Sequence, residues 1–527
     1  MRIFLFPRQF FLEEVETLYA VANSVGLHGI EGVMVSVEVD VANGLPTFDI
    51  VGLPGSAVRE ARDRVRSALR NSGFDFPLKR ITANLAPADW RKDGPGFDLA
   101  LAMGILAAGE ALPHNALSDI VIFGELALDG GTRPIRGALP LVSAAKAAGF
   151  ARVMLPKHNG WEAILIPGVE TIPVSSLQSA VRFLRTGFKE SLPEQKRLAE
   201  TAVSTRDWGD VVGQASAKRA LEVAATGGHN ILFFGPPGAG KTMLAERLVT
   251  VLPPLTSDEM IVVTKIHSAA GMLVDRATLI DARPFRTPHH SVSVAGLVGG
   301  GRPIRPGEVS LAHRGVLFLD EFPEFSRNAI EALRQPIQSG EVTISRVSSS
   351  ITMPARFQLV AAANPCPCGY LGSFVQTCVC TPPQLARYRS RVSGPLLDRI
   401  DMCVFVHPPS YEALTSSHAE ERSTDVQARV IKALAIQTNR FRSPEAVRNG
   451  DAPSNLIKQR CALHPQARDV LKNAFERMSL SGRAYDRIVR VAQTIADLSG
   501  ESVIQEVHMA EAIGYRLRWP SAEPIYP

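Results

Sequence analysis

The sequence predicts an α/β protein: a nucleotide-binding core on a parallel sheet, a mixed α/β unit ahead of it and a helical segment behind it. Three observations predict this. Gly235-Pro236-Pro237-Gly238-Ala239-Gly240-Lys241-Thr242 fits the phosphate-loop pattern G-x-x-x-x-G-K-[ST] without a mismatch. It stands between an apolar run, Asn230–Phe234, and a helical pattern from Met243 to Leu248, which is the strand–loop–helix order the pattern requires. Further on, Gly315–Leu319 is a second apolar run, and it ends in Asp320 and Glu321. The C-terminal end of a strand is where an α/β sheet presents ligand-binding residues.

Bulk properties bound the rest. At 527 residues the chain exceeds one ordinary core, so two to four domains are expected. Hydrophobic residues at 45% and charged residues at 21% are ordinary globular composition. The net charge of +5 is compatible with a polyanionic partner. No apolar run approaches the length that spans a bilayer. Met1–Leu12 is apolar but broken by Pro7 and lacks a small-residue cleavage site, so it does not read as a signal peptide. Residues 1–14 read instead as an extension ahead of the first domain.

The first unit, about 15–188, alternates apolar and polar residues from Val33 to Val41, as a half-buried strand does. Asn43-Gly44-Leu45-Pro46 is a turn, and Phe48–Leu53 reads as the return strand. Ser56 is placed to cap a helix that carries Arg59, Arg62, Arg64, Arg66 and Arg70. A helix over Phe97–Ala108, a strand at Ile120–Gly124, a helix near Leu139–Ala148 and a strand at Arg152–Leu155 complete a mixed α/β pattern. Residues 189–207 are polar and charged with no apolar face, and read as a linker. The core is expected over 208–407 and a connection with a helical lid over 408–527.

In the core, the glycines of Gly235–Thr242 let the backbone wrap a phosphate, and the following helix N-terminus adds amide donors. Lys241 is expected on the β- and γ-phosphates of ATP, and the Thr242 hydroxyl on Mg²⁺. Asp320, 79 residues past Lys241, is expected to hold Mg²⁺ mostly through water, with Glu321 polarising the attacking water. Phe357–Ala363 is a further buried strand, and it ends in Asn364.

Four of the six cysteines fall within fifteen positions: Cys366, Cys368, Cys378 and Cys380. Four thiolates suit tetrahedral Zn²⁺, although C-x-C is tighter than the usual C-x-x-C spacing. Reversible disulfides and unliganded thiols remain the other readings. Such clustering points to a reducing compartment rather than a disulfide framework. Cys403 and Cys461 are isolated and read as core residues. His289-His290 has no carboxylate or Cys at ligand spacing nearby, so a structural or interface role is expected rather than a metal site.

Several segments resemble known families. Arg91–Asp98, Gly124–Gly130 and Pro134–Pro140 resemble the proteolytic domain of Lon-type proteases, which implies a Lon-like (ribosomal S5 domain 2-like) fold. Gly96 and Pro140 stand where that family has its nucleophilic Ser and its Lys, so no Ser–Lys dyad forms and a binding or assembly role is implied. Asp210–Gln214 is similar to the AAA+ segment that packs over adenine, and Asn364 to the sensor-1 residue that positions the lytic water. Ser393–Asp401 resembles the segment carrying the arginine finger in the magnesium-chelatase and MCM-helicase branch, which implies an oligomer. Arg399 is the first choice there, with Arg391 and Arg389 behind it. Leu480–Ala492 resembles the sensor-2 helix, with Arg483 on the nucleotide. Leu297–Glu308 and Gly340–Pro354 match the helix-2 insert and pre-sensor-1 hairpin of that branch, which implies DNA-phosphate contacts for Arg302, Arg305 and Arg346.

Nearly the whole chain from about Val15 resembles the ComM/YifB family of magnesium-chelatase-like AAA+ proteins. The resemblance rests on these segments together with Thr287–His290 and Asn364–Gly369. It implies a cytoplasmic, homo-hexameric ATPase using ATP and Mg²⁺. The implied activity is a helicase that acts on single-stranded or branched DNA and drives branch migration in recombination and natural transformation. The alternatives are a motor subunit for inserting Mg²⁺ into a porphyrin, and a regulatory Lon-like adaptor. An intact Glu321 and Arg399 argue against the adaptor.

Overall fold

The computed structural model describes residues 18–113, 115–192, 206–273, 278–301, 303–346, 349–372, 376–409, 411, 415, 420–442, 448–478 and 480–516. The extension over 1–14 and most of the linker lie outside the described residues. Contacts divide the chain into two compact units. One holds residues 1–196 with 264–279 and 345–351; the other holds 197–263, 280–344 and 352–527.

The front unit is built on one sheet of seven strands: β1 Leu18–His28, β2 Glu31–Ala42, β3 Thr47–Val51, β4 Arg80–Ala86, β5 Ile120–Ile122, β6 Arg152–Pro156 and β7 Glu170–Val174. The order is β3-β4-β2-β1-β5-β6-β7. β1 and β2 form a long antiparallel hairpin, from Leu18 opposite Val41 to His28 opposite Glu31. On β2 the alternation read from the sequence buries Val35, Val37, Val39 and Val41 on one face. The helix α1 Ser56–Asn71 and the almost wholly buried helix α2 Asp98–Ala108 pack into this core. Asp98 is fully buried and takes Nε and Nη2 of Arg64 at 2.7 and 2.9 Å. Burial outweighs Arg64 and lifts the Asp98 carboxyl to about 6.

Two local expectations fail here. β3 is not the return strand of β2: it lies beyond β4 and runs parallel to it, Thr47 opposite Arg80 through Val51 opposite Asn84. β2 gives that edge to β4 over seven residue pairs, and α1 supplies the crossover that parallel strands need. Nor does Ser56 cap α1. The cap residue is Gly55, without a side-chain bond, because a side chain there would strike Asp93.

The second unit holds a five-stranded, all-parallel sheet preceded by the helix α3 Ala215–Gly227. Its strands are β8 Ile231–Phe234, β9 Phe285–Arg286, β10 Val316–Leu319, β13 Gln358–Ala363 and β14 Met402–Phe405, in the order β9-β10-β13-β8-β14. A separate hairpin, β11 Glu341–Arg346 and β12 Ser349–Pro354, precedes β13. Every residue of β8, β10 and β13 is buried, as expected for parallel strands covered on both faces. The last part is helical: Ser423–Phe441, Ser454–Arg460, Pro465–Met478, Gly482–Leu498 and Glu506–Gly514.

Buried polar groups tie these helices to the sheet. Asp497 accepts from Arg440, Asn449 and Gln493. Thr494 bonds Asn449 at 3.0 Å and the fully buried His229 at 2.8 Å. Burial pushes the His229 imidazole down to about 4. Among the described residues, no helix is long and apolar enough to cross a membrane.

Candidate nucleotide site

Parallel pairing brings the C-terminal ends of β8, β9, β10 and β13 to one edge. Phe234 stands opposite Ala363, Leu319 opposite Ala361 and Arg286 opposite Leu317. The residues just past those strands therefore meet, although the sequence separates them widely.

After β8 the chain turns through Gly238 and Gly240, both left-handed at φ +78° and +86°, where a side chain would strain the backbone. It then enters the helix Lys241–Val251. Lys241 is only 8% exposed. Its Nζ donates to Gly235 O at 2.7 Å, Pro236 O at 3.0 Å and Asn364 Oδ1 at 3.1 Å. Burial lowers the pKa of the ammonium, and Asp320 works in the opposite direction. Thr242 Oγ1 donates to Asp320 Oδ2 at 3.0 Å, and Asp320 Oδ1 accepts from Glu321 N at 2.8 Å. A hydroxyl and a carboxylate thus share one point, the donor pair that holds Mg²⁺ in phosphate-loop proteins. Gln214 Nε2 donates to Ala239 O at 3.3 Å, so the Asp210–Gln214 segment is bonded to the phosphate loop.

Glu321 adopts φ +49° past β10, and its side chain is 57% exposed. Its Oε2 lies 3.1 Å from Nδ1 of His290. The His290 ring lies against His289 (centroids 4.1 Å apart) and edge-on to Phe325. No sequence spacing links His290 to Glu321. The parallel pairing of β9 with β10 brings the segments that follow both strands to the same edge, where the two side chains meet. His290 is therefore a site residue that motif reading missed.

The arginines form a second group. Arg399 Nη1 donates to Pro395 O and Nη2 to Gln338 Oε1, both at 2.7 Å. Partial burial lowers its pKa, and the neighbouring charges of Arg334, Arg483 and Arg487 add to that, against Asp398. Arg483 is exposed at the start of its helix, and Arg487 pairs with Asp401 at 3.0 Å. The charge of Arg483 acts on Arg399. Arg391 is paired with Glu324. Arg389 lies at the end of the helix Pro382–Arg389.

Of the three arginines expected on DNA, Arg302 lies outside the described residues. Arg305 is exposed on a two-residue strand, Arg305–Pro306, that pairs with Gly299–Gly300. Arg346 ends β11, and its side chain is outside the described residues. Arg286 closes the base of the insert on Glu308 with two bonds, at 2.7 and 2.9 Å.

The four cysteines converge. Their Sγ atoms all lie within 4.8 Å of one another, with Cys366–Cys368 at 3.3 Å, Cys368–Cys378 at 3.6 Å and Cys366–Cys378 at 3.7 Å. Tetrahedral Zn²⁺ with Zn–S bonds of about 2.3 Å requires S–S separations of about 3.8 Å, so the thiols fit one metal ion.

Comparison with known proteins agrees with this layout. Residues 207–414 match the family model "Magnesium chelatase, subunit ChlI", residues 37–159 match "Subunit ChlI of Mg-chelatase", and residues 420–516 match "Magnesium chelatase, subunit ChlI C-terminal". The chain is 44% identical to competence protein ComM of Haemophilus influenzae over 505 residues, covering 94% of this chain and 97% of that one. It is 42% identical to YifB of Escherichia coli over 494 residues, covering 93% and 95%. The 38 kDa magnesium-chelatase subunit of Rhodobacter capsulatus is 31% identical over 173 residues, which cover 29% of this chain and 49% of that subunit. With end-to-end similarity at this level and an assembled phosphate-loop pocket, the chain belongs to the ComM/YifB family of magnesium-chelatase-like AAA+ proteins.

Proposed function

We propose that the protein is a ring-forming ATPase, most simply a homo-hexamer, that couples ATP hydrolysis to remodelling of single-stranded or branched DNA, as a helicase driving branch migration in recombination or transformation. The observation that carries the reading is the assembled phosphate-loop pocket. Lys241, Thr242, Asp320, Glu321 and Asn364 form a phosphate and Mg²⁺ pocket. Arg399 is held by Pro395 O and Gln338 Oε1, and the charges of Arg334, Arg483 and Arg487 act on it. In a ring, Arg399 faces the γ-phosphate bound by the next subunit.

Each residue then has a role. Lys241 and the amides of Gly235–Thr242 bind the phosphates, and Lys241 is already held by carbonyl oxygens that a phosphate would replace. Mg²⁺, held by Thr242 and Asp320, would neutralise charge on the β- and γ-phosphates. Glu321 accepts the proton of the attacking water, Asn364 orients that water, and Arg399 stabilises the charge that develops, with Arg483 beside it. The name of the competence protein and the exposed Arg305 on the insert support a DNA substrate. Arg302 and Arg346 would join Arg305 on the phosphate backbone. The front unit would serve in binding or assembly, since Gly96 and Pro140 carry neither a nucleophile nor an amine. Cys366, Cys368, Cys378 and Cys380 would hold one structural Zn²⁺, consistent with a reducing, cytoplasmic setting.

ATP hydrolysis measured with and without single-stranded and branched DNA, across a salt series, tests the reading. The expected result is stimulation by DNA that fades as salt rises, because the grip is electrostatic. Hydrolysis indifferent to DNA would remove the helicase assignment. It would favour a metal-chelatase motor, for which the partial match to the 38 kDa subunits is the supporting observation.

A further inference from the structure

The cysteine loop is built into the catalytic edge of the sheet. β13 ends at Ala363; Asn364 follows, and Cys366 lies two residues beyond. The chain runs through Cys368, Cys378 and Cys380, then enters the helix Pro382–Arg389. From that helix Tyr388 returns its hydroxyl to the backbone oxygen of Asn364, at 3.2 Å. Asn364 is therefore fixed at three points: by Lys241 on its side chain, by Tyr388 on its carbonyl, and by the cysteine loop along the chain.

The loop also touches the phosphate loop directly. Gly369 has φ +84°, and a Cβ there would lie 2.7 Å from Cδ and 3.1 Å from Cγ of Pro237. Only a glycine brings its backbone that close to the phosphate-loop apex. Gly369 is in turn held by Cys366, through Gly369 N donating to Cys366 O at 2.9 Å, and Leu371 N donates to Cys366 Sγ at 3.3 Å. Cys366 thus follows the end of β13, whereas Cys378 and Cys380 stand just ahead of the Pro382–Arg389 helix. Bonds between thiols are weak, and a metal replaces them with four strong ones.

Building on the zinc reading above, we infer that the four-cysteine metal site is a brace for catalysis: one Zn²⁺ joins the end of β13 to the Pro382–Arg389 helix and so holds Asn364 and Pro237 in register with the γ-phosphate. The helix leads directly into the Ser393–Asp401 segment, so the same brace joins the sensor to the stretch that carries Arg399. Loss of the metal is expected to act on the chemical step more than on nucleotide affinity. Misplacing a catalytic group by about 1 Å can cost roughly 100-fold in rate, whereas most phosphate contacts come from the loop and Lys241.

The test uses the full-length protein. Metal content is measured on the wild type and on the Cys378→Ser/Cys380→Ser variant, and thiolate-to-cobalt absorption bands are recorded after cobalt substitution. ADP affinity, kcat and the far-UV spectrum are compared between the two. The expected result is about one zinc per chain in the wild type and little in the variant. In the variant, kcat falls at least about 10-fold while ADP affinity stays within about 3-fold. Tyr388→Phe guards against a variant that fails to fold. It should keep its zinc and its cobalt bands, and lose kcat by a smaller factor. Zinc lost with kcat unchanged, or Tyr388→Phe with wild-type kcat, would overturn the brace and leave the zinc site standing. A wild-type chain without metal would overturn both.

Discussion

The phosphate-loop pocket and the arginine group differ in how their charges are settled. In the pocket each charged or polar group has a partner within the chain: Lys241 has three oxygen acceptors, Thr242 has Asp320, and Glu321 has His290. In the arginine group Arg334 pairs with Glu331 and Arg487 with Asp401, while Arg399 donates to two neutral oxygens, of Pro395 and Gln338, and the nearby arginine charges lower its pKa. A guanidinium bonded to neutral oxygens keeps its charge available to an arriving anion. The pocket is a site made ready within one chain. In the proposed ring, Arg399 supplies its charge to an anion bound outside its own chain.

The sharpest way to break this comparison is Arg399→Ala. If the group completes a neighbour's site, kcat should fall by about 10³-fold with ATP affinity nearly unchanged. Mixing that variant with Lys241→Ala chains should then restore turnover, because some interfaces pair a sound pocket with a sound arginine. Mixed assemblies as inactive as their parents would place both half-sites within one chain. Glu321→Gln comes next. It should bind ATP and lose roughly 100-fold in turnover, the usual worth of a positioned general base. Turnover near the normal rate would disprove its role.

His290→Ala sharpens the pocket side. Glu321 loses the partner 3.1 Å away, and kcat should change by about 3- to 10-fold with no change in KM, while His290→Asn should recover part of it. An unchanged kcat would make the contact incidental.

The smallest effect on the comparison is one of pH, because it acts on the shared scaffold. Burial pushes His229 down to about 4 and His313 down to about 3, where His313 Nδ1 accepts from Arg356 N. The unfolded chain takes up these protons near pH 6.5, and the folded chain only well below pH 5. Stability is therefore full above about pH 6.5 and falls as the pH drops through that window, by about 2 kcal/mol per histidine at pH 5. Denaturant midpoints at pH 7 and pH 5 measure it. Asp98, raised to about 6, works in the opposite direction over this window, so the Asp98→Asn variant isolates the histidines, and equal midpoints in it would show that they take up protons when folded as they do when unfolded.

Much of the pocket was legible from the sequence because its parts are local. A phosphate loop is eight consecutive residues, and a buried strand ending in carboxylates reads as such without knowledge of its neighbours. Gly235–Thr242, Asp320, Glu321 and Asn364 each came from a short pattern of this kind. The cysteine cluster was legible in the same way, because ligand spacing is a property of one loop. The front sheet was less so. β3 had the turn and alternation of a return strand, and its true partner was chosen by the crossover through α1.

The sequence by itself determined the class of fold, the phosphate loop and the residues that could do chemistry at it. These depend on local periodicity and on side-chain chemistry. Only the tertiary structure decided which distant residues share a point. The pairing of β9 beside β10 brought His290 to Glu321, the return of the Pro382–Arg389 helix put Tyr388 on Asn364, and the close approach of Gly369 set the cysteine loop on Pro237. The physical reason is that such contacts are fixed by how strands pair and helices return, and pairing is a property of the whole sheet, not of any one segment.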